Sequence, residues 1–209
     1  LSNATTIREQ INNSTKRFEY NFTPDLQSFA GEDFLELLEQ SYREVGLEET
    51  IILTRTNRRT NLYNQGVRAR ILWKEDEISS GDRLMISKNN YFWTKDYEGI
   101  PFLANGDMME IGRLRNRREM YGYQFVDASL RSVDYNWEID VILWLDTLTT
   151  DSPEINQQLH RTLFNRISED YPELQHNRKK LVEAIYDSPY YNALQVRFAY
   201  AVTCHKAQG

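Results

Sequence analysis

The chain has 209 residues, 40% of them apolar, 12% aromatic and 27% charged, with a formal net charge of −6. That length supports one or two compact domains, and the aromatic content argues against wholesale disorder. A single cysteine excludes an internal disulfide, and three scattered histidines, His160, His176 and His205, give no zinc-ligand spacing. No apolar run reaches the roughly 18 residues of a membrane span. A soluble cytoplasmic protein is expected.

A pI near 5.2 argues at first against nucleic-acid binding. The charge is unevenly placed, however. Residues 31–49 hold seven acids and one arginine, and outside them acids and bases balance. Residues 55–70 carry five arginines and no acid, which leaves room for a local anion-binding face.

The start, Leu1-Ser2-Asn3-Ala4, reads as a tag remnant. Phe18, Tyr20 and Phe22 alternate over 16–23, a strand pattern that Pro24 ends. Residues 31–46 read as a helix with an apolar stripe of Phe34, Leu37, Leu38 and Val45 and its acids toward water. Ile51-Ile52-Leu53 reads as a buried parallel strand, followed by a helix over 56–72 with Leu62, Tyr63, Val67 and Ile71 as its stripe. This strand–helix rhythm indicates an α/β sheet.

The texture changes near Ser79. Turn signals at Ser80-Gly81-Asp82, Asn89-Asn90, Glu98-Gly99, Asn105-Gly106-Asp107 and Tyr121-Gly122 separate short strands expected at 83–88, 108–114, 121–128 and 137–145. They suggest a small antiparallel barrel. Val141–Asp146 has the outline of a magnesium-holding strand end, but Thr147 follows and no lysine precedes Ser or Thr, so no phosphate loop accompanies it. A buried strand is the simpler reading. Asp151-Ser152-Pro153 caps a helix with Ile155, Leu159, Leu163 and Ile167 every fourth residue, a second helix spans 178–186, and 195–204 reads as one core strand.

Ala199–Gly209, with its Thr203-Cys204-His205-Lys206-Ala207-Gln208-Gly209 ending, resembles motif V of superfamily 1 DNA helicases, most closely the RecD-like, 5′-to-3′ branch. Residues 51–68 resemble the family's strand–helix segment around motif IV, and residues 81–91 with 103–107 resemble its inserted SH3-like barrel. The order of all three agrees from about residue 16 onward. The resemblance implies an α/β fold: a partial RecA-like parallel sheet with helices, interrupted by a small SH3-like antiparallel β-barrel and a helical connector. Its expected parts are a tag remnant and polar lead-in (1–15), the first RecA-like part (16–78), the barrel (79–150), the connector (151–189) and the second RecA-like part (190–209).

The implied parent is an ATP-dependent DNA helicase and translocase, similar to exodeoxyribonuclease V alpha subunits and carrying a UvrD-like C-terminal domain, with roles in DNA repair and recombination. Its cofactors would be ATP and Mg2+. Its partners would be single-stranded DNA and an N-terminal RecA-like domain of the same chain. Motifs I, II, III and VI are absent from these residues, so they are expected to be inactive alone, as a fragment of a longer chain.

The resemblance places Thr54, Asn57, Arg58, Asn64, Arg68, Thr203, His205 and Lys206 at the DNA, and Gln208 and Gly209 at the nucleotide cleft. The chemistry agrees. Ligands of open α/β sheets gather at the carboxyl ends of strands, and helix starts favour anions. Hydroxyl, imidazole and peptide N–H groups hold phosphates without reading sequence. Each position also has a plainer reading. Asn57 can be a helix cap, Arg59 and Arg70 a solvated face, Arg68 a brace, and Cys204 a small core residue. Tyr91, Phe92 and Trp93 either stack on bases or fill the barrel. Asn89, Asn90, Asn105 and Gly106 read as turn residues, and Arg113, Arg115, Arg117 and Arg118 as a solvated hairpin. Two rival functions stand beside the helicase. One is a non-catalytic nucleic-acid-binding α/β-plus-barrel module. The other is a small-molecule enzyme, for which no acid, base and nucleophile cluster is visible.

Overall fold

The computed structural model describes residues 2–14, 22, 24, 26–150 and 152–207. The strand expected over 16–23 falls almost wholly outside them, and so do Gln208 and Gly209. The chain divides into two compact units, Leu1–Glu49 and Thr50–Gly209.

In the first unit, helix α1 spans Ser2–Asn12, where only a tag remnant and polar lead-in were expected. Helix α2 spans Phe34–Glu44 after a 3-10 turn over Gly31–Asp33. Acids at Glu32, Asp33 and Glu36 suit the positive end of the helix dipole. Gly46 (φ +96°) ends it in the left-handed conformation that glycine adopts at low cost. Leu38 is buried, whereas Val45, expected in the same stripe, is exposed.

The second unit joins two sheets. Strands β1 (Ile52–Thr54) and β7 (Ala201–Thr203) form a parallel pair, with helix α3 (Asn57–Arg70) packed on it. β1 is buried on one face only, since Leu53 is 55% exposed. Of the expected apolar stripe on α3 only Val67 is buried. Thr60, Asn64, Val67 and Arg68 face inward, and Leu62 is 66% exposed. The spacing is helical, but two of the inward positions are strongly polar, which periodicity of apolar residues does not reveal.

Strands β2 (Arg83–Ile86), β3 (Met108–Met120), β4 (Tyr123–Ser132), β5 (Glu138–Trp144) and β6 (Val196–Phe198) make an antiparallel sheet in the order β5-β4-β3-β2-β6. Leu194, two residues before β6, bridges to Leu143, with Leu194 N–H on Ile142 O at 2.7 Å and Trp144 N–H on Leu194 O at 3.1 Å. The two sheet edges therefore meet through residues 194–198, and the expected barrel closes. β3 runs six residues past its expected end into a hairpin with positive φ at Tyr121 (55°) and Gly122 (65°), the conformation of a type I′ turn. Asp146 accepts the Gln124 N–H at 2.8 Å, so the apolar run before it is a buried strand with a structural acid at its end.

Helices α4 (Pro153–Ser168) and α5 (Arg178–Tyr186) cover one outer wall of the barrel. Leu163, Ile167, Leu181 and Ile185 pack there with Phe125, Ile142 and Trp144. This outer layer explains why β4 and β5 are buried on both faces. Ser152 caps α4, its hydroxyl accepting from Ile155 N–H at 3.3 Å. Among the described residues no helix is long and apolar enough to cross a membrane.

The single strand expected over 195–204 is two strands. β6 pairs with β2 in the barrel, the chain bends at Ala199–Tyr200, and β7 pairs with β1. The bend takes peptide groups out of both ladders, and buried peptide groups need partners. Asn64 supplies them, donating to Phe198 O (2.9 Å) and Ala201 O (3.1 Å) and accepting from Ala201 N–H (2.7 Å).

Candidate nucleic-acid interface

Thr54 of β1 stands opposite Thr203 of β7, so both chains leave the parallel sheet at the same end. From Thr54 the chain passes Arg55 into α3. Thr56, not Asn57, is the cap: its extended backbone (φ −135°, ψ 149°) lets the hydroxyl accept from Arg59 N–H at 3.3 Å. From Thr203 the chain turns back on itself, and the N–H groups of Lys206 and Ala207 both reach Thr203 O, at 2.9 and 3.2 Å. Cys204 N–H donates to Thr54 O at 2.9 Å, which stitches the two loops together. Cys204 is exposed at this edge rather than in the core, its thiol also directed to Thr54 O at 3.3 Å.

Arg55, Arg58, Arg59, His205 and Lys206 are exposed along this edge, with Asn57 and Thr203 half-buried beside them. Residues 55–70 and 199–207 contain no acid. Lys206 Nζ donates to Asn105 Oδ1, and Asn105 N–H in turn donates to Asn89 Oδ1 at 2.7 Å. Partial burial, and then the nearby Arg197 charge, hold the Lys206 ammonium below the usual lysine value. Asn105 was expected only as a turn residue. Its contact with Lys206 spans 101 positions and has no local sequence signal.

Three residues expected at DNA are turned inward. Thr54 is buried, its hydroxyl sharing a hydrogen bond with Thr60 Oγ1 at 2.6 Å. Asn64 is spent on the β6–β7 bend. Arg68 donates through Nε and Nη2 to the two oxygens of Asp82 (3.1 and 3.0 Å) and through Nη2 to Asp76 O (2.7 Å), with its guanidinium 4.4 Å from the Phe198 ring centre. Asp82 is wholly buried and also accepts from Lys74 Nζ (3.0 Å), Ser79 N–H (2.7 Å) and Tyr200 OH (2.8 Å). This hub ties α3, the start of the barrel and the β6–β7 bend to one carboxylate. Burial and the Asp82 charge push the Tyr200 phenol well above its usual value.

The barrel residues divide as well. Tyr91 is exposed and stacked on Phe102 at 5.0 Å, while Trp93 joins the core and donates Nε1–H to Asn192 O at 2.8 Å. Asn90 acts as a turn residue, its Oδ1 accepting from the N–H groups of Phe92 and Trp93. Of the hairpin arginines, Arg117 pairs with Glu77 and Arg118 with Asp127, and Arg113 and Arg115 are solvated.

No protein-family model matches the chain, and no curated protein matches it.

Proposed function

We propose that this chain is part of a RecD-like superfamily 1 DNA helicase, and that the edge where β1 and β7 end binds the backbone of single-stranded DNA. The observation that carries the reading is the pairing of Thr54 with Thr203. It brings together two segments 150 positions apart that separately resemble helicase motifs, both basic and free of acids. Arg58, His205 and Lys206 are the phosphate contacts, with Asn57 and Thr203 beside them. Thr54, Asn64 and Arg68 hold the edge in shape. Contacts of this kind grip phosphates without reading bases.

In this reading ATP and Mg2+ serve the motor, with an N-terminal RecA-like domain as partner and Gln208 and Gly209 on the cleft wall. The described residues do not fit such a site by themselves. They hold no group of three or more His, Cys, Asp or Glu placed for a metal, and the sequence has no Gly-Lys-Ser/Thr loop. Strand binding is the part of that work we assign to these residues.

Fluorescence anisotropy with labelled oligo-dT tests the proposal. Binding at low salt should weaken steeply as salt rises from about 50 to about 200 mM, because phosphate contacts release counterions. Absence of binding at the lower salt would refute it.

A further inference from the structure

A second region of the barrel carries chemistry that the β1–β7 edge does not use. Two adjoining cavities, about 370 and about 470 Å3, lie between the loop after β2 and the face of α4. They share Lys88, His160, Tyr191 and Gln195 as lining residues. The chain has 31 acids against 25 lysines and arginines, yet among the described residues no acid lines either cavity. The charged lining residues among those described are Lys88, Lys95 and Arg161. Lys95 is partly engaged at the rim, 3.9 Å from Asp187 and over the Phe92 ring. Lys88 and Arg161 form no ion pair with a described residue.

The remaining surface is aromatic and amide. His160 lies edge-to-face with Tyr191 at 4.6 Å and against Trp144 at 5.7 Å, and Tyr186 packs on Tyr191 at 5.3 Å. Gln195 and Asn156 add hydrogen-bonding groups. Burial, and then the Lys88 charge, push His160 down to about 4, so its imidazole is neutral at pH 7 and presents one donor and one acceptor nitrogen. Cations without counter-charges select an anion. Flat rings and amides select a planar polar heterocycle. Cavities of this size suit small-molecule ligands.

We infer that this cleft binds a nucleoside phosphate, the phosphate on Lys88 and Arg161 and the base against Tyr191 and His160. The same chemistry is offered by a free nucleotide and by one nucleotide of a single strand. The cleft adjoins the β1–β7 edge through Asn89, which lines it and accepts from Asn105, the partner of Lys206. The inference stands on the cleft's own residues and does not require the helicase reading.

The test titrates the intact 209-residue chain with dTMP, thymidine, inorganic phosphate and dT10, following backbone amide NMR shifts. Saturable shifts at Lys88, His160 and Tyr191 are expected with dTMP or dT10, at least tenfold tighter than with phosphate or thymidine. Lys88→Ala and Arg161→Ala, both at solvent-reachable positions, should each weaken that binding at least fivefold, with unchanged spectra elsewhere. Response to dTMP identifies a free-nucleotide site, and response to dT10 alone identifies a strand site. Equal affinity for phosphate and dTMP, with no response to dT10, would overturn the inference, as would absence of shifts at the cleft with every probe. Binding of dT10 that is lost in Lys206→Ala but untouched in Lys88→Ala and Arg161→Ala would overturn it too, while leaving the β1–β7 edge intact as a DNA site.

Discussion

Replacing Arg68 by leucine separates its two possible roles. The change removes both N–H bonds to the buried Asp82 carboxylate, the bond to Asp76 O, and the cation beside Phe198. Breaking a buried ion pair by deleting one partner costs about 3–5 kcal/mol. Lys74 remains at 3.0 Å from Asp82, together with the Ser79 and Tyr200 donors, so the lower end, about 3 kcal/mol, applies here. For a domain of about 150–250 residues each kcal/mol moves Tm by about 2–4 °C, so Tm should fall by about 6–12 °C. Urea unfolding gives the free energy, and anisotropy on the folded variant gives DNA affinity. Asp82→Leu, alone and combined with Arg68→Leu, completes a cycle in which the two residues should couple by at least about 1 kcal/mol. A variant as stable as the parent but impaired in DNA binding would refute the brace and restore Arg68 as a contact.

Other outcomes follow from the same geometry. Arg58→Ala and Lys206→Ala should each lower the slope of log affinity against log salt by about 0.7 in single-stranded DNA titrations, leaving Tm within about 2 °C. Asn64→Leu leaves three peptide groups at the β6–β7 bend without a partner and should cost at least about 3 kcal/mol in urea unfolding, at about 1–3 per group. Leu163→Ala, under α4, should cost about 2–5 kcal/mol by the same measurement. His160 is held at about 4 in the folded chain, against about 6.5 unfolded. Between those values the unfolded state binds more protons, so this contribution is whole above about pH 6.5 and lost as pH falls toward 4. Its size is at most about 3 kcal/mol. Comparing His160→Gln with the parent at pH 7.5 and 4.5 cancels the carboxylates common to both, and the variant should lose less stability on acidification. Equal losses would remove His160 from the account.

Much of the local structure was legible in residue order because it rests on local physics. Helix α2, the cap at Ser152, the span of α5 and the strand-and-turn rhythm of the barrel depend on neighbours a few positions away. The resemblance put the two motif-like segments at one edge, but their pairing as parallel strands, Thr54 opposite Thr203, comes from the fold. Nor was the inward face of α3 legible. Asn64 and Arg68 look like surface residues until a bend 134 positions away and an aspartate on another element supply their partners. The same holds for the run over 195–204, which is one apolar pattern shared between two sheets. The cleft around His160 joins a loop after β2 to a helix some 70 positions later, and no window of sequence contains both.

Residue order alone established most of the elements, the uneven distribution of charge, and the basic, acid-free character of 55–70 and 199–207. Only the tertiary structure decided which polar groups face inward and which stay at the edge. A buried polar side chain is tolerated only where distant partners satisfy it, and only folding brings those partners together.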